Sequence, residues 1–180
     1  MPRPIVLYVQ VVDWVSHKFG LLAMCLIFVM MAVLLLDAFT RNVVNIPLHW
    51  CIEMAQFILA AYYFVGGAHS LQLGDHVRMD LIYDRLSERG KAWMDVVTSS
   101  FMIFYLVCLL IGAVSSTLYS LQYNQKLMSV WAPPLAPIKI IMVFGIVLML
   151  LQVLSVLFKD LATARGVTIP GVRMHEETAV

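Results

Sequence analysis

The sequence predicts an all-α integral membrane protein with four transmembrane helices, an N-terminal interfacial helix and a short amphipathic segment between the second and third spans. Composition is the first reason: 62% of the 180 residues are hydrophobic, only 13% are charged, and the mean hydropathy is +0.88. Soluble domains run at roughly 45–50% apolar and about 25% charged. The spacing of the charges is the second. A charge at the bilayer centre costs at least ~2.5 kcal/mol and ~20 apolar residues cross the hydrocarbon, so long charge-free gaps mark the helices. Four gaps are long enough: 18 residues between Lys18 and Asp37, 21 between Glu53 and Asp75, 30 between Asp95 and Lys126, and 19 between Lys139 and Lys159. The third is that Trp14, Trp50, Trp93 and Trp131 each stand at or just before the start of a span, where an indole prefers the headgroup level.

Before the first span, residues 4–17 place Gln10, Asp13 and His17 at three- and four-residue spacing among apolar neighbours. This narrow polar stripe suits a helix lying in the interface or extending the span. The span itself covers 18–39. Its 18-residue apolar core exceeds the ~7–15 of a signal peptide, and DAFTR follows it instead of a cleavage site, so it is expected to stay attached.

The second span is expected over 48–73 and the third over 92–121. Ser87 is a suitable N-cap, so the third helix should begin near 88 and run to about 124. At ~1.5 Å per residue that is roughly 55 Å, more than a bilayer needs, which calls for tilt or projection beyond it. VWAPPLAPIK then carries three prolines, which force a turn, and Pro137 suits the first turn of a fourth helix over 138–159. Residues 160–180 form a tail. Nine of the twelve lysines and arginines fall in the N-terminal segment, the 74–95 loop and the tail, which puts both termini and that loop in the cytoplasm.

No polar or ionisable group of the kind a carrier uses stands near the middle of any span. Glu53 is the one acid near a span interior, a turn inside the outer end, where an interfacial carboxylate that is hydrogen-bonded or paired with Arg41 is the simplest role. Extramembrane pieces of about 22 residues are too short for a core of their own, and no phosphate-binding loop, metalloprotease pair or nucleophile elbow occurs. Neither an enzyme nor a nucleic-acid-binding protein is indicated. Cys25, Cys51 and Cys108 are scattered and read as small apolar residues. No catalytic, cofactor or metal residue is assigned, with one alternative kept open. His17 and His69 fall near the same membrane end and could clasp haem in a redox-complex anchor, although His49, His76 and His175 offer no second pair.

Small residues remain. Gly112, Ser116 and Ser120 recur every four residues in the third helix, and Gly66 with Ser70 does so in the second, allowing close helix approach. Contact within the bundle and contact with a larger membrane partner are both open, and Gly112 and Ser116 are candidate interface residues. Gln56, Gln122, Asn124, Gln125 and Gln152 add hydrogen-bonding groups at or near span ends.

The densest charge lies in DHVRMDLIYDRLSERGKAWMDVV, after a second span with an early glutamate; RNVVN closes the first span, and VWAPPLAP precedes the last. Together, over roughly residues 15–160, these resemble the DctQ-like small permease subunit of tripartite ATP-independent periplasmic (TRAP) transporters. The matching positions Arg41, Glu53, Asp75, His76, Arg78 and Asp80 become candidate interface or structural residues. Family members often carry a basic residue one turn after the glutamate, where this chain has Gln56, so a family charge pair at Glu53 does not transfer.

The resemblance implies a bacterial inner-membrane subunit with two protein partners. One is a large multi-span membrane subunit that carries organic acids by a sodium-coupled elevator motion, and the other is a periplasmic substrate-binding protein. The small subunit would extend the static scaffold and add docking surface through the 37–50 and 124–138 loops. Residues 74–89 would form a cytoplasmic interfacial helix, with Asp80 and Asp84 facing Arg78, Arg85 and Arg89.

Overall fold

The computed structural model describes residues 3–45, 48–73 and 88–164. Four helices account for nearly all of them: α1 (Arg3–Phe39), α2 (His49–Leu73), α3 (Glu88–Gln122) and α4 (Ala136–Ala164). Each contains a window long and apolar enough to cross a membrane. The 4–17 stretch and the first span are one unbroken helix of 37 residues, about 55 Å long at ~1.5 Å per residue.

The end of α1 is shaped by its sequence. Thr40–Val44 widen into a π-helical turn, and Asn45 adopts the left-handed conformation at φ 54° while its N–H reaches the Thr40 carbonyl. Asparagine tolerates that conformation better than other side chains. Thr40 Oγ1 and Asn42 Nδ2 donate to the Leu36 and Ala38 carbonyls, each at 2.8 Å. Polar side chains thus close the carbonyls that a helix end leaves open.

Between α3 and α4 the proline-rich segment is more ordered than a simple turn. Asn124 and Ala132 take positive φ, and the chain folds into a small antiparallel hairpin. Leu127 N–H donates to the Pro133 carbonyl and Leu135 N–H to the Gln125 carbonyl, both at 3.0 Å. The prolines occupy the positions from which no N–H is required. Met128 and Val130 at the tip are almost wholly exposed.

The helices alternate in direction and pack in the order α3, α4, α2, α1, with the N-terminal half of α1 reaching back across α2 to α4. Burial follows this order: a third of the apolar window is buried in α2 and in α4, against 11% in α1 and 17% in α3. The core is a seam of Leu71, Leu106, Ala113, Ile146 and Val153, filled in by Phe64, Met102, Met142 and Met149. Phe28, Leu35, Phe101 and Phe104 point outward and are mostly exposed, as expected where lipid replaces water as the solvent of an apolar face.

The close helix crossings come from glycines other than those the four-residue spacing singles out. A methyl group on Gly145 would lie 2.7 Å from the Phe64 carbonyl oxygen, and one on Gly20 would fall on the His69 ring. Gly112 has open space in front of it, Ser116 is half-buried and Ser120 is wholly buried. Residues eight apart on a helix differ by ~80° in direction, so this set winds from the outside of α3 into its contact with α4.

Candidate functional site: a buried polar seam between α1 and α4

Polar side chains collect where the first half of α1 meets the last half of α4. Lys159 Nζ donates to Asp13 Oδ2 at 2.7 Å, with side chains only 8% and 18% exposed. The other carboxylate oxygen accepts from Gln152 Nε2 at 2.9 Å and from Ser155 Oγ at 3.4 Å. Gln152 Oε1 in turn accepts from Ser16 Oγ at 2.7 Å. Gln152 and Ser155 are completely enclosed and Ser16 nearly so. Tyr8 extends the seam outward, its hydroxyl donating to the Leu151 carbonyl at 3.0 Å and its ring meeting Phe158 edge-on.

The spacing explains the convergence. Asp13 and Ser16 are three apart on α1, and Gln152, Ser155 and Lys159 are three and four apart on α4, so each set forms one stripe on its helix. The helices run antiparallel and the stripes face one another. From Lys159 to Gln152 the network descends seven residues, about 10 Å along α4. On the opposite side of α4, Ser99 Oγ donates to Asp160 Oδ2 at 3.3 Å and ties in α3. Each buried charge and amide here has a partner, the condition under which polar groups persist in a low-dielectric interior. This chemistry fastens helices together.

At the other end of the bundle Arg41 pairs with Asp37 at 3.0 Å, one turn back on its own chain. The expected Arg41–Glu53 pair is therefore not formed. Asp37 lies one turn before Arg41 on the same chain, so the guanidinium reaches it without crossing to α2. Glu53 is buried, and among the described residues neither its Oε2 nor Ser120 Oγ has a hydrogen-bond partner. Lys139 Nζ donates to the Ser116 carbonyl at 3.2 Å and to Gln125 Oε1 at 3.1 Å, locking the start of α4 to the end of α3. Asp75, His76, Arg78 and Asp80 lie outside the described residues, as does the expected 74–89 interfacial helix except for Glu88 and Arg89, which begin α3.

His17 and His69 do meet, with ring centroids 5.5 Å apart and planes tilted by 59°. The His69 ring rests on Gly20, so α1 and α2 touch at this level and leave no slot for a porphyrin between the imidazoles.

Sequence reasoning saw Asp13 and His17 as one interfacial stripe, Lys159 as a topology marker and Gln152 as one of several span-end amides. The signal that could have joined them is a serine one turn and a glutamine two turns below a lysine, opposite an aspartate in a helix otherwise apolar.

Residues 30–163 match the family described as "Tripartite ATP-independent periplasmic transporters, DctQ component". The chain belongs to this family. A DctQ component is the small membrane subunit of a TRAP transporter, here a multi-pass inner-membrane protein whose four apolar helices fit that role. No curated protein and no solved structure shows significant similarity to the chain. The family match takes in Gln152, Ser155 and Lys159 but begins after Asp13 and Ser16, so one wall of the polar seam lies in the matched DctQ region and the other before it.

Proposed function

We propose that the chain is a non-carrying subunit of a sodium-coupled TRAP transporter for organic acids, which braces the large membrane subunit while that subunit moves the solute. The observation that carries this reading is the distribution of buried polarity. In the described residues, the charged and amide side chains of the spans gather at the two ends, in the Asp13–Lys159 seam and around Asp37, Glu53 and Lys139. Between them the helices meet through Leu106, Ala113 and Ile146. A solute path needs polar groups or broken helices at that depth. A static brace needs stiff helices fastened at both ends and an apolar exterior for a neighbour or lipid to cover.

In this reading Arg3, Lys18 and Lys159 mark the cytoplasmic side and both termini lie there. The hairpin around Lys126 and the turn at Asn45 face the periplasm, where they meet the binding protein. Arg41, Glu53, Asp75, His76, Arg78, Asp80, Gly112 and Ser116 serve structure or subunit contact.

Two experiments test the reading. Tagged chain extracted in mild detergent should bring down a much larger polytopic subunit, and its failure to do so in detergents and nanodiscs alike would count against a bracing role. The chain reconstituted alone in sealed vesicles should catalyse no sodium-driven uptake of organic acids; measurable uptake would refute it.

A further inference from the structure

We infer that His17 and His69 form a two-imidazole site for a divalent transition ion of the zinc and copper class, which clamps α1 to α2. Neither the family match nor the bracing role assigns this pair a function.

The separation fits. Two imidazoles sharing one tetrahedral ion, with metal–nitrogen bonds of about 2.0–2.1 Å, hold their ring centres roughly 5–6 Å apart. The observed value is 5.5 Å, with the rings tilted and not stacked. A macrocycle would have to pass beside the His69 ring, which is packed against Gly20, whereas a single ion needs only the space to one side.

The surroundings supply the support that a ligating histidine requires. His69 Nδ1–H donates to Gln72 Oε1 at 3.3 Å, which leaves the Nε2 lone pair free. Metal-binding histidines ordinarily have such a partner on the second nitrogen, fixing tautomer and ring orientation. Gly20 acts on the same ring by holding it flush against α1.

His17 is exposed, and no described residue hydrogen-bonds its ring. The charged residues beside His17 on α1 are already engaged. Lys18 lies over the Trp14 ring at 5.8 Å, and Asp13, one turn before His17, is held by Lys159 and Gln152. Imidazole pairs suit Zn2+, Cu2+ and Ni2+, with Cu2+ bound most strongly. Water fills the remaining positions.

The test uses full-length, tag-free chain in nanodiscs, stripped with a chelator and titrated with Cu2+ as a paramagnetic probe. One equivalent should bind, with hyperfine splitting from two nitrogens, and Zn2+ at micromolar concentration should raise the thermal midpoint. A triple variant, His49→Gln, His76→Gln and His175→Gln, should keep both responses. His17→Gln, at an exposed position that leaves packing intact, should lose one nitrogen, bind at least ten-fold more weakly and lose the Zn2+ shift. Absence of a stoichiometric site, its loss in the triple variant, or unchanged binding in His17→Gln would each overturn the assignment.

Discussion

Lys159 and Asp13, 146 positions apart in the chain, form a 2.7 Å ion pair at one end of the bundle. It is the charged member of the contacts that fasten α1 to α4. Both side chains are largely enclosed, so removing one partner takes a 2.7 Å counter-charge from the other in a low-dielectric setting. Asp13→Ala should lower stability by about 3 kcal/mol, whereas the matched replacement Asp13→Leu with Lys159→Met should cost much less than two single changes combined. Chemical denaturation of the native chain, Asp13→Leu, Lys159→Met and the double variant in one detergent measures the coupling.

Gly145 sets the distance between α2 and α4. A methyl at that position would stand 2.7 Å from the Phe64 carbonyl oxygen, a backbone atom that a rotamer change cannot move. Gly145→Ala should therefore force the central helices apart, at a cost of about 1–3 kcal/mol. The thermal midpoint of the purified chain checks it, and a midpoint equal to that of the native chain would show that the crossing is looser than described.

Gly112 is the contrasting case, because a side chain added there meets nothing within 4 Å. Gly112→Ala should leave the isolated chain as stable as before or raise its stability by up to ~1 kcal/mol through helix propensity. Gly112→Leu separates lipid from protein as the neighbour of this face. Loss of the large subunit on co-purification, with the chain's own stability unchanged, identifies a subunit contact. Normal complex yield identifies lipid.

Glu53 carries a buried carboxylate oxygen with no donor among the described residues. Replacing an unsatisfied buried polar group with an apolar one of similar size removes a desolvation cost of about 1–3 kcal/mol. Glu53→Met should accordingly stabilise the isolated chain, read as a higher midpoint in detergent. A lower midpoint would mean that the carboxylate already has a stabilising partner.

Much of the architecture was legible because membrane helices are written in one dimension. A run of apolar residues between charges is a span whatever it packs against, so the four gaps, the start of α3 at Glu88 and the helical turn containing Pro137 follow from local physics. Contacts between helices are less legible. The sequence shows serines, glutamines and glycines at helical spacing, but each such residue can face a neighbouring helix, a partner or lipid. Gly112 and Gly145 are chemically identical, yet one looks into open space and the other touches a backbone.

What the sequence by itself determined, then, is the class, the number of spans and the family resemblance that the match over 30–163 establishes. All of these depend on composition and short-range order. Only the tertiary structure decided that Asp13 belongs with Lys159 and Gln152, that Arg41 turns back to Asp37 and leaves Glu53 alone, and that His17 rests against His69. The physical reason is that apolar helices in lipid have no strong preference for one rotation about their axes. The rotation is selected by a few close crossings and buried polar contacts between residues far apart in the chain.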